Sequence, residues 1–141
     1  MMRLITLIAV VAMAASCGGG EGPPVVATDV VVTAPAAGMP MAAGYLQISN
    51  RSGAAVRITH VSSPEYGSVE MHETVVEDGI ARMRAIPALE IADGDTIVFE
   101  RGGKHLMLMQ PVGDPGTITL NFYSADVLLL SVSTEFTAAM E

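Results

Sequence analysis

An all-β domain, a sandwich or barrel of about eight or nine short strands, is what the residues predict. Three observations carry this. Apolar and polar residues alternate over short runs, turn-forming clusters separate the runs at short spacing, and no segment sustains an apolar stripe of 3.6-residue period.

The elements follow in order. Val25 to Thr33 is rich in Val and Thr and stops near Pro35. Gly44 to Asn50 places Leu46 and Ile48 on one face and Tyr45, Gln47 and Ser49 on the other, and Asn50-Arg51-Ser52-Gly53 then supplies turn chemistry. Val56 to Val61 alternates again and ends at Ser62-Ser63-Pro64. Val69 to Val76 and Ile80 to Ile86 flank Asp78-Gly79, a strong hairpin signal. Thr96 to Glu100 and His105 to Met109 flank Gly102-Gly103, read as a second hairpin. Thr117 to Tyr123 and Val127 to Val132 complete the set. Pro87 to Asp95 reads as a loop or single helical turn, and 133–141 as a frayed tail.

The 141 residues suffice for one domain with a modest core. Six aromatic residues and no Trp leave Val, Ile, Leu, Ala and Met to fill it. A formal charge of −8 offers nucleic acid no basic footprint. Residues 1–16 read as an export signal. Arg3 supplies the positive start, and Leu4 to Ala15 is an uncharged apolar run too short to span a bilayer as a helix. Ala14-Ala15-Ser16 directly precede Cys17, which resembles a bacterial lipobox with Ala14 where Leu is more frequent. Acylation of Cys17, the only Cys of the chain, is expected, with 17–24 as a flexible tether and the outer membrane as destination. The other reading is an ordinary cleaved signal with Cys17 as a stray thiol. After cleavage, six basic and fifteen acidic residues remain, and the β-domain, 25–132, has neither disulfide nor thiolate.

Two of the three His residues fall in one pattern with Met. His72 is followed after ten residues by Met83, after twenty-one more by His105, and after one more by Met107. A two-residue loop at Asp78-Gly79 sets Thr74 opposite Met83 and His72 opposite Ala85, so His72 and Met83 become diagonal neighbours on one face. His105 and Met107, two apart on a strand, also share a face. Thioether sulfur is soft and suits Cu(I) rather than Zn²⁺, Ca²⁺ or Mg²⁺, and a blue-copper centre would need a thiolate. The alternative for any one of these residues is structural: Met is a flexible core filler, and Met71, Met109 and Met140 are read as filler or surface.

The pattern and its surroundings resemble the periplasmic PCu(A)C-type copper chaperones. The likeness runs from about Val25 to Val132, through Ala43-Gly44-Tyr45-Leu46-Gln47-Ile48-Ser49-Asn50, Val69-Glu70-Met71-His72-Glu73-Thr74, Asp78-Gly79-Ile80-Ala81-Arg82-Met83-Arg84 and Gly102-Gly103-Lys104-His105-Leu106-Met107-Leu108-Met109. It implies a cupredoxin-like Greek-key β-barrel, one surface Cu(I), and delivery toward the CuA centre of cytochrome oxidase, often beside a Sco-type thiol protein. Some members carry a Met- and His-rich C-terminal extension, and no second copper site of that kind is expected here.

His60 lies outside the pattern and is read as structural or surface. Met39-Pro40-Met41 is read as an apolar loop plug, with thioethers within reach of copper transfer as the sharper alternative. Glu70, Glu73, Glu77 and Asp78 form an acidic patch, and Arg82 and Arg84 are expected to point away from Met83 and pair with it. No catalytic constellation stands out, so a monomeric, non-enzymatic binding protein is expected. A copper-sequestering or resistance lipoprotein, and a structural β-sandwich lipoprotein without metal, remain open.

Overall fold

The structure, a computed structural model, describes residues 24–34, 39–113 and 116–137; the segment expected to be an export signal, 1–16, and Cys17 lie outside these. Eleven strands occur and, among the described residues, no helix: β1 Val25–Thr33, β2 Met41–Asn50, β3 Val56–Ile58, β4 His60–Ser62, β5 Tyr66–Glu77, β6 Ile80–Ala85, β7 Leu89–Ile91, β8 Thr96–Phe99, β9 Lys104–Pro111, β10 Thr117–Ser124 and β11 Val127–Thr137. Seven of them close a barrel in the order β1-β11-β10-β4-β5-β9-β2, with β2 returning to β1. β6 adds to β5 and β8 to β2, while β3 and β7 make a separate ribbon.

The period-2 pattern fills the interior. Ala42, Leu46 and Ile48 of β2, Leu106 and Leu108 of β9, and Ile118, Leu120 and Phe122 of β10 are buried. Phe99, Phe122 and Tyr66 are the aromatic part of a core otherwise built from aliphatics and Met71. Gly44 lets β2 and β9 approach closely: a Cβ there would lie 3.1 Å from Cβ of Leu106.

The first hairpin forms as the sequence predicts. Asp78 and Gly79 both take positive φ, 52° and 76°, the conformation of a type I′ turn, and Thr74 pairs with Met83 and His72 with Ala85. The second expected hairpin does not form. β8 and β9 follow one another along the same edge of β2, with Leu46 opposite Phe99 and Gly44 opposite Leu106. Residues 100–103 loop out between them, closed by Glu100 N–H to the Lys104 carbonyl at 2.7 Å and Gly103 N–H to the Glu100 carbonyl at 3.1 Å. Gly-Gly specifies a reversal locally, but it cannot specify which strands the flanks pair with.

Three further expectations are corrected. Eleven strands replace eight or nine, partly because Val56 to Val61 splits at Thr59, whose amide bonds the Tyr123 carbonyl at 2.8 Å. β3 then pairs with β7, and β4 with β10 and β5. Pro87 to Asp95 contains β7, with Leu89 and Ile91 facing the core. β11 continues to Thr137 instead of fraying at Val132, because Val32 and Thr33 of β1 pair in parallel with Phe136 and Thr137 and Phe136 packs on the core.

Glu65 ties the turn before β5 to β10: its Oε2 accepts from Ser63 Oγ at 2.8 Å and from Thr119 N–H at 2.9 Å. Burial pushes its carboxyl up, but these hydrogen bonds outweigh burial and hold its pKa below the ordinary value. A carboxyl with a lowered folded-state pKa stabilises the fold above the unfolded value, and that contribution disappears as pH falls through the folded pKa. Glu65→Ala is therefore expected to cost about 1–2 kcal/mol at neutral pH. Urea unfolding of both proteins should show the difference closing in acid; a difference independent of pH would mean the charge contributes nothing.

Candidate metal centre

The site is assembled by the register of β5 against β9. His72 is directly opposite His105, and Glu70 is opposite Met107. Met71, Leu106 and Leu108 point into the barrel, so His72, His105 and Met107 share the outer face. The two imidazole centroids are 6.0 Å apart with planes at 70°. Met83 of β6, opposite Thr74, lies diagonal to His72 on that face. All four residues of the spacing pattern thus come to one face of three neighbouring strands, β6, β5 and β9. His105 is buried at 8% exposure and Met83 is open at 55%, so the imidazoles form the floor and one thioether sits at the rim.

The hydrogen bonds sort the four ring nitrogens. His105 Nδ1 is 3.1 Å from the Gly103 carbonyl, which only accepts, so Nδ1–H donates and Nε2 keeps its lone pair. His72 Nε2 is 2.8 Å from Glu70 Oε2, a carboxylate, which leaves the lone pair on Nδ1. That Nδ1 is buried and has no partner. A buried polar nitrogen normally finds one, and an orphan of this kind fits a metal ligand. One nitrogen tied to a carboxylate or carbonyl and the other free is the arrangement that orients metal-binding imidazoles. Among the described residues, no group of three or more His, Cys, Asp or Glu gathers elsewhere as a harder metal site.

An open cleft of about 450 Å³ lies beside this floor, bordered by Met83, His105 and Met107 together with Met39, Met41, Ala43, Tyr45, Thr74 and Arg101. His72 does not border it and is turned to Glu70. The loop between β8 and β9 contributes one wall. Its Gly103 carbonyl accepts the Thr74 amide at 3.1 Å, and the Arg101 guanidinium stands 5.4 Å over the Tyr45 ring. The same carbonyl therefore holds both β5 and His105. Arg82 and Arg84 lie on the opposite face and pair with Glu77, as expected.

His60 stacks on Tyr123 with centroids 4.5 Å apart and planes within 2°, a packing role away from the cleft. Met71 is core filler. The sequence reading missed Glu70 as the partner of His72, although the two-residue spacing on a strand signals it. It also misplaced Met41, which begins β2 rather than sitting in a loop. Extending the alternation Tyr45, Ala43 backward would have put Met41 on the site face.

Residues 25–134 match the family model described as "Putative lipoprotein LpqE-like". The chain belongs to the LpqE-like family. Among solved structures, apo-DR1885 from Deinococcus radiodurans superposes with a TM-score of 0.60 at 24% identity, covering 99% of this chain and 96% of that one. CuI-DR1885 from the same organism gives 0.59 at 27% identity, covering 89% and 84%. The copper-bound PCuAC domain of PmoF2 gives 0.59 at 18% identity, covering 82% and 92%. The fold is thus that of PCuAC domains, the family the sequence resembles. A curated relative, uncharacterized protein RP573 of Rickettsia prowazekii (strain Madrid E), is 28% identical over 84 residues. That match spans 55% of this LpqE-like chain and a little under half, 46%, of the relative.

Proposed function

We propose that this protein is an extracytoplasmic copper chaperone that holds one Cu(I) with His72, Met83, His105 and Met107 and passes it to a partner. The observation that carries the reading is the pair of imidazoles, each with one nitrogen tied and one free, on the same face as two thioethers. Soft, uncharged sulfur beside neutral imidazole selects Cu(I) over Zn²⁺. The copper-bound neighbours, CuI-DR1885 and the PmoF2 domain, support copper as the cargo.

Transfer rather than catalysis fits the placement of the ligands. Met83 is at the rim and Met107 borders an open cleft, so an incoming partner is able to displace ligands one at a time. By resemblance, the acceptor is a CuA-bearing oxidase subunit or a Sco-type thiol protein. The test is Cu(I) binding by the mature protein in competition with Zn²⁺, with X-ray absorption to identify the donor atoms. One Cu(I) with two sulfur and two nitrogen neighbours is expected. Equal or stronger zinc binding would overturn the assignment.

Acylation of Cys17 would hold the domain at a membrane surface, consistent with the description of its family. Cys17→Ser is expected to release the protein from the membrane fraction while leaving copper binding intact. Unchanged processing and membrane association would refute the anchor.

A further inference from the structure

The outer face carries more sulfur than the four-residue site uses. Met41 lies directly opposite Met109 and two residues along from Ala43, which is opposite Met107. Met41 and Met107 are therefore diagonal neighbours on one face, a separation that two long thioether side chains span. Ala43, with only a methyl group, leaves the space between them open. Met39, two residues before Met41, borders the same cleft and is 51% exposed. A flexible, polarisable side chain so exposed buries little apolar surface, so core filling does not account for it.

We propose that Met39 and Met41 form a second, thioether-only Cu(I) position on the open side of the cleft, through which the ion enters and leaves the His72–Met83–His105–Met107 site. The proposal rests on that site being the resting place of copper. An ion held by Met107 at the edge of the first set would exchange an imidazole for Met41, then Met107 for Met39. No charge changes hands, because every donor is neutral, and the ion remains Cu(I) throughout. Each step keeps soft donors around the metal, so the ion never has to shed all its ligands at once.

The experiment uses the mature full chain labelled with ¹³C in the methionine methyl groups, titrated with Ag(I), a soft monovalent ion that needs no reductant. The Met83 and Met107 methyl signals are expected to move first, and the Met39 and Met41 signals to broaden or shift as the ion exchanges. In the M39L/M41L variant, Cu(I) affinity should stay within about twofold, as for sites whose ligands are untouched. Its rate of Cu(I) release to a chelator should fall by about tenfold, since the change lies in exchange and not in equilibrium binding. Met39 and Met41 signals that stay still up to excess Ag(I), with an unchanged release rate, would overturn the relay while sparing the main site. Still signals at Met83 and Met107 as well would overturn both.

Discussion

Replacing Met107 by leucine is expected to lower Cu(I) affinity by about a hundredfold, or about 2.7 kcal/mol, without unfolding the domain. Leucine keeps the size and apolarity of methionine, so the fold should lose less than about 1.5 kcal/mol. What disappears is one soft donor next to His105. Met83→Leu should act in the same direction. Cu(II) binding through His72 and His105 should persist in both variants, because imidazole serves both oxidation states while thioether favours the reduced one. Competition against a Cu(I) chelator measures the loss, and circular dichroism reports the fold. His60→Ala, which disrupts only the stack on Tyr123, is the control. Unchanged Cu(I) affinity in both Met variants, with loss in His60→Ala, would place the site elsewhere.

Asn50→Ala is expected to produce the opposite split: a loss of about 2–4 kcal/mol in stability with Cu(I) affinity retained. Asn50 is fully buried at the end of β2. Its Nδ2 donates to the Ala54 carbonyl at 2.7 Å and the Ile91 carbonyl at 2.9 Å, and its Oδ1 accepts the Ser52 amide at 3.0 Å. Its own amide donates to the Asp95 carbonyl and its carbonyl accepts from Gly94. One side chain thus joins β2, the following turn and β7. Alanine leaves the buried Ile91 carbonyl without this hydrogen bond, and that desolvation dominates the cost. The proposed copper ligands gather at the other end of β2, around Ala43, so they should be unaffected. Urea unfolding with parallel copper titration tests both halves; a loss below about 1 kcal/mol would mean other groups or water satisfy these atoms.

Asn50 also illustrates what was legible beforehand. Turn chemistry at 50–53 could be read directly, since Asn hydrogen-bonds its own backbone two residues on, as it does here to Ser52. The bond to Ile91, forty-one residues away, could not, because it depends on a strand, β7, that is three residues long and carries too little pattern to detect. The same limit explains the second hairpin. Asp78-Gly79 closed as read because a two-residue turn forces its own flanks to pair. Gly102-Gly103 opened into a loop because β2 offered a continuous edge to both β8 and β9.

The residues alone determined the period-2 burial, the type I′ turn, and the softness of a His₂Met₂ donor set, since each follows from chemistry within a few positions along the chain. They also determined which face Met83 shares with His72, because a two-residue loop leaves one register. The tertiary structure decided the rest. It brought β9 beside β5 so that His105 stands opposite His72, it set Met41 on the same face, and it supplied the Gly103 carbonyl and the Glu70 carboxylate that each occupy one imidazole nitrogen. Strand pairing between distant segments depends on the packing of the whole barrel, and no local preference encodes it.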